Sequence, residues 1–164
     1  MKKYNNIKVQ VSCVPNVERR VRKVFFDCLE DYSNRFNVPV TKEKVRIQIC
    51  FVEYPDPYEY DMSSGTSHGL TVFDESEGNK ILIQVRDPFL NDWENNYYVL
   101  QQFLCIMCHE FVHACQHLCG RNGLNTRIKH DKESSREAYF FDPMEMEARL
   151  LEMPYMCMYC GPLV

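Results

Sequence analysis

An α+β fold with a small mixed or antiparallel sheet is predicted by three features of the sequence. Short segments alternate apolar and polar residues, longer segments repeat apolar residues at helical spacing, and no repeat, linker or low-complexity tract separates them. The 164 residues suit a single domain spanning 1–164, long enough to bury a core without staples. Hydrophobic residues make up 45% and charged residues 26%, a globular rather than disordered balance. Nineteen Lys and Arg against 23 Asp and Glu leave a net charge of −4, so no global field draws the chain to nucleic acid or anionic lipid. No apolar run approaches the roughly 18 residues needed to span a bilayer, and the basic start leads into alternation rather than a signal-like stretch. The expectation is a cytoplasmic protein with reduced thiols, its nine cysteines serving mainly as small buried hydrophobes.

The elements follow in order. Ile7 to Cys13 alternates and reads as a strand, which Pro15-Asn16 interrupts. Val17, Val21, Val24, Phe25, Cys28, Leu29 and Tyr32 then mark an amphipathic helix whose outer face carries Arg19, Arg20, Arg22 and Lys23, a solvated surface. Val45–Val52 is a second strand, and Tyr54–His68 is a long irregular loop rich in Pro, Ser and Gly. Gly69–Phe73 and Lys80–Val85 flank a polar turn and form an antiparallel hairpin. Asn91 or Asp92 caps a long helix running to Cys119, with Gly120 at its C-terminal cap. Arg121–Glu137 is charged and aperiodic. Pro143 opens a last helix that Pro154 is expected to stop near Met153. The N-terminal helix and the long helix are expected on one face of the sheet.

The long helix contains His109-Glu110-Phe111-Val112-His113, an H-E-x-x-H pattern. Residues four apart project from one helical face, so both imidazoles can reach a single ion at zinc–nitrogen distances of about 2.0–2.1 Å. Glu110 is rotated about 100° from His109, which suits it to act as general base on a zinc-activated water rather than as a ligand. A catalytic zinc site needs three protein ligands and an open position. His117, one turn beyond His113, lies about 12 Å from His109 along the axis and suits a supporting, substrate-contacting or surface role. Cys115 and His130 are further candidates, His130 within the charged segment. On a wheel of the last helix, Met144, Ala148, Leu150 and Leu151 define a buried side that includes Glu147. Glu145 falls with Arg149 and Glu152 on the wet side. A carboxylate within an apolar stripe needs a partner. The reading therefore takes His109, His113 and Glu147 as the metal ligands, Zn2+ as the cofactor, and Glu145 as the alternative third ligand.

An H-E-x-x-H helix followed by a second helix bearing Glu resembles the gluzincin branch of zinc metallopeptidases. Pro143-Met144-Glu145-Met146-Glu147-Ala148 is similar to the E-x-E-A segment of ImmA/IrrE-like peptidases and small phage-type zincins. The resemblance covers the helix 92–119, the helix 143–153 and, more loosely, the strands before them. It implies a minimal zincin-like fold, a protein or peptide substrate, and the Lys80–Val85 strand as the active-site edge that pairs with it. The family's helix after E-x-E-A usually runs longer than one stopped at Pro154. A metzincin pattern fails because position 119 is Cys, and SprT-like proteins, DNA-associated, take a third His that has no clear counterpart.

The function expected is zinc-assisted peptide hydrolysis with Glu110 as the base. Two other classes stay open: a non-catalytic regulatory or binding protein on a zincin scaffold, and a DNA-associated protease. Net acidity weighs against the second, and no membrane partner is expected. Cys105-x-x-Cys108 and Cys157-x-x-Cys160 could together form a four-thiolate zinc site, but buried thiols beside the helix are the favoured reading. Tyr139, Tyr155, His117 and His130 are candidates to stabilise an oxyanion, with none singled out.

Overall fold

A computed structural model describes residues 3–12, 15–52, 69–74, 79–86, 97–121 and 141–161. The order is β1 (Ile7–Ser12), α1 (Pro15–Phe36), β2 (Val45–Val52), β3 (Gly69–Asp74), β4 (Lys80–Arg86), α2 (Tyr97–Leu118) and α3 (Pro143–Tyr159). The fold is α+β, and the sheet is mixed, with strand order β1-β2-β4-β3. β1 pairs parallel to β2 and β2 parallel to β4, while β3 and β4 form the expected antiparallel hairpin.

Alternation fixes which face of the sheet is covered. Ile7, Val9 and Val11 on β1, Val45, Ile47 and Ile49 on β2, and Ile81, Ile83 and Val85 on β4 are buried and aligned in register. Lys8, Gln10 and Arg46 point to the open side. α1 contributes Val21, Val24, Phe25, Cys28, Leu29 and Tyr32 to the same core, so α1 and α2 share one face of the sheet. Phe25 meets Phe111 of α2 edge to face at 5.3 Å, a favoured aromatic geometry. α2 is buried on most of its circumference because the sheet, α1 and α3 all pack on it, and Gly120 ends it with φ +67°.

Two expectations are corrected here. Lys80–Arg86 is an inner strand, paired on both sides, and among the described residues the outer strands are β1 and β3. α3 also continues through Pro154 to Tyr159. Proline removes one i→i−4 bond, here to the carbonyl of Leu150, and both residues lie on the exposed face where water can solvate that group. Asp142 caps the start of α3, its side chain accepting from the backbone N–H of Met144 at 2.8 Å. The proposed caps Asn91 and Asp92, the loop Tyr54–His68 and the segment after Arg121 lie outside the described residues. No helix among those described is long and apolar enough to cross a membrane.

Candidate metal centre

α2 and α3 pack against each other, and the one-turn spacing of His109 and His113 turns both rings toward the first turn of α3. There they meet Glu145. His109 Nε2 lies 3.0 Å from Glu145 Oε2, His113 Nε2 lies 3.2 Å from Glu145 Oε1, and the two Nε2 atoms are 3.2 Å apart. Ligands about 2.0–2.1 Å from a tetrahedral ion stand about 3.3 Å from one another, so the donor set fits zinc in both chemistry and spacing. Among the described residues, no other group of three or more His, Cys, Asp and Glu gathers its ligand atoms this closely, all lying within 4.8 Å.

The carboxylate that joins the two histidines is therefore Glu145, and the expectation of Glu147 in that place is corrected. The cause is the face of α3 that is buried. Ala148, Leu151 and Tyr155 form its inward stripe, whereas Leu150 is 72% exposed. Counting Leu150 as inward rotates the wheel and moves Glu147 onto the buried side. In the structure Glu147 accepts hydrogen bonds from Tyr32 Oη at 2.5 Å, Gln116 Nε2 at 2.8 Å and Arg121 at 2.6 Å. Arg121 also lies 3.9 Å from the Phe36 ring centroid. Glu147 has the partners that a half-buried carboxylate requires, and they are protein groups. Burial and the adjacent Glu147 push the Tyr32 hydroxyl well above its ordinary range, so it stays a donor.

Each histidine is held from behind. His109 Nδ1 lies 2.7 Å from Glu152 Oε2, seven residues and two turns beyond Glu145 on the same face of α3. His113 Nδ1 lies 2.9 Å from Gln116 Oε1. Burial disfavours the imidazolium of His109, but hydrogen bonds to Glu145 and Glu152 outweigh it and raise its pKa to about 10. His113 shifts the same way, burial being overcome by Glu145. Burial alone would raise Glu145, yet the two histidines hold it well below the usual carboxylate range.

Glu110 stands apart from the three, as its 100° offset predicts. It is 6% exposed, and the Thr71 hydroxyl of β3 donates to its Oε2 at 2.6 Å. Gly69, two residues earlier on the same face of β3, leaves room for it. A Cβ there would stand 2.7 Å from Glu110 Oε1 and 2.8 Å from its Cγ. Burial raises the carboxyl's pKa, with His113, His109 and Thr71 opposing.

The remaining candidates separate from this cluster. His117 stacks on Phe73 of β3 with ring centroids 4.2 Å apart. Cys115 is buried in the core. Tyr155 lies ten residues, about 15 Å, along α3 from Glu145 and packs against Tyr159 and Arg35. His130 and Tyr139 fall outside the described residues. The two C-x-x-C pairs do not converge as a foursome. The Cys108 and Cys160 thiols approach to 3.6 Å and Cys105 meets Met156 Sδ at 3.4 Å, but Cys157 is exposed.

Sequence reasoning passed over Thr71, Gln116, Arg121, Tyr32 and the role of Glu152. Two of these carried a signal: Gln116 follows His113 by three residues on one helical face, and Glu152 follows Glu145 by seven. No family model matches the chain, and neither curated proteins nor solved structures match it.

Proposed function

We propose that the chain is a zinc-dependent metallopeptidase in which His109, His113 and Glu145 hold the ion and Glu110 is the general base. The observation that carries this reading is the convergence of those three donors within 4.8 Å of one another, two of them on the helix that also presents Glu110. The similarity of the H-E-x-x-H and E-x-E-A segments to gluzincins supports it. So does the position of β3, which is paired on one side only among the described residues and supplies the residues that hold Glu110. A bound zinc ion supplies Lewis acidity at the reacting carbonyl.

The protein's own groups do the rest. Glu110 takes a proton from the attacking water as the water oxygen bonds to the scissile carbonyl carbon, and delivers it to the amine nitrogen as the C–N bond breaks. Burial, which raises its pKa, makes the carboxylate a stronger base for the first transfer. Thr71 fixes the carboxylate through Oε2, while Gly69 leaves space beside Oε1. Glu152 and Gln116 hold the ligand rings.

The test is zinc content and cleavage of an unfolded protein substrate for wild type and Glu110→Gln. The reading expects about one zinc per chain in both, with turnover falling by about 100-fold or more in the variant. Full zinc with cleavage unaffected by the substitution, or no cleavage in either, would instead favour a non-catalytic binding role.

A further inference from the structure

The cluster behind His113 has a role of its own. Gln116 is 1% exposed, and its whole amide is engaged. Oε1 faces His113 Nδ1 at 2.9 Å, while Nε2 faces the Met144 carbonyl at 3.0 Å and Glu147 Oε2 at 2.8 Å. The orientation of the amide follows from its partners. Turned over, its oxygen would face a carbonyl and a carboxylate, two acceptors, with no donor between them. Nε2 must therefore point at Met144 and Glu147, and Oε1 at His113. An oxygen at that position can only accept, so Nδ1 of His113 carries hydrogen and the lone pair of the neutral ring is left on Nε2, the atom facing Glu145 and His109. The same amide also grips the first turn of α3, at Met144, one residue before Glu145.

We infer that Gln116, oriented by Glu147, is the positioning residue of the metal centre. It sets which nitrogen of His113 is offered to the ion and fixes the distance between the two helices that carry the ligands. Glu147 thus serves the site at one remove. Tyr32 and Arg121, which bind the same carboxylate from α1 and from the end of α2, hold it where it can hold Gln116. A buried amide whose donors and acceptor are all used is costly to replace by any group that lacks one of them. This inference rests on the reading of His109, His113 and Glu145 as ligands, and needs no peptidase activity.

The experiment compares wild type, Gln116→Met and Val24→Ala. Methionine keeps the length of the side chain and removes its hydrogen bonds. Val24 is a buried apolar residue of the core on α1 with no hydrogen-bonding group in its side chain, so its loss reports on general destabilisation. Zinc affinity is measured by competition with a chromogenic chelator, and ligand geometry by the visible absorption of the cobalt-substituted proteins. Folding of each metal-free chain is followed by circular dichroism. Gln116→Met is expected to bind zinc about 10- to 100-fold more weakly, with an altered cobalt spectrum. Val24→Ala should melt earlier than wild type yet keep wild-type affinity and spectrum. If Gln116→Met keeps wild-type affinity and spectrum, or if Val24→Ala weakens zinc binding as much, the positioning role is wrong while the metal centre stands. If wild type itself takes up neither metal, the ligand reading falls, and this inference with it. Should Gln116→Met fail to fold, Glu147→Met replaces it. That change removes the oxygen that accepts from Gln116, and unchanged zinc affinity and cobalt spectrum would overturn the inference.

Discussion

Glu145 and Glu147 lie two residues apart in the first turns of α3, yet they occupy different chemical surroundings. Glu145 faces two imidazoles. Glu147 faces a guanidinium, a phenol and an amide, a set that satisfies it without help. The difference teaches that burial does not identify a metal ligand. Both carboxylates are partly buried, with side chains 14% and 18% exposed. What separates them is whether the partners are themselves ligands with lone pairs to give or donors with none.

Substitutions can break this contrast. The largest effect belongs to Glu145→Ala, which should lower zinc affinity by more than about 100-fold, beyond the loss expected when only an outer partner of a ligand is removed. Competitive zinc titration checks it, and Glu147→Ala should lose distinctly less. Glu147→Ala strands Arg121 and removes the acceptor of Tyr32, costing about 2–3 kcal/mol in urea unfolding of the metal-free protein. That is less than the 3–5 kcal/mol of a fully buried pair, because both partners keep about one fifth of their exposure.

A third expectation concerns pH. In the metal-free protein, burial works against the charge on His109, but Glu145 and Glu152 prevail and hold its pKa at about 10 against an ordinary 6.5. A raised pKa stabilises the fold fully below pH 6.5, and the contribution fades as pH climbs from 6.5 towards 10. Glu145 has the opposite sign: lowered by the histidines, it stabilises above its ordinary 4.5, and that contribution is lost as the solution is acidified below it. The two contributions coexist fully only between pH 4.5 and 6.5. Thermal melts should therefore show the metal-free protein losing stability from pH 6.5 to 10, with saturating zinc flattening that decline, since zinc takes the place of the ring protons. Equal slopes with and without zinc would contradict the assignment.

The smallest effect touches the base rather than the ligands. Gly69→Ala pushes a methyl group against Glu110, and Thr71→Val removes its hydrogen-bond donor. Each should retain zinc, and turnover should fall by about 10-fold in peptide cleavage assays, with Thr71→Ser recovering most of the loss.

Much of this architecture is legible from residue order. Alternation in β1, β2 and the hairpin names the covered face, and the histidine spacing names two of the three clustered donors. Strand order is less legible, because alternation reports which side of a strand is buried and not which strand stands outside. Lys80–Arg86 carries Leu82 besides its three buried residues, a density that suits an inner strand. The third member of the cluster is hidden for a local reason: α3 exposes Leu150, Met146 and Met153, so apolar residues lie on both sides of it and the wheel has no unique inward direction. Pro154 misleads because it lies on the exposed side with Leu150, where water can take up the carbonyl it frees. The partners that settle Glu147 come from α1 and the end of α2, 115 and 26 residues away, where spacing gives no guide.

The most direct test is a zinc-edge anomalous difference map from crystals of the zinc-loaded protein. The account expects one strong peak about 2.0–2.2 Å from His109 Nε2, His113 Nε2 and a Glu145 oxygen, with Glu147 still bound to Arg121. No peak there, a peak between Cys108 and Cys160, or Glu147 drawn onto the ion in place of Glu145 would contradict it.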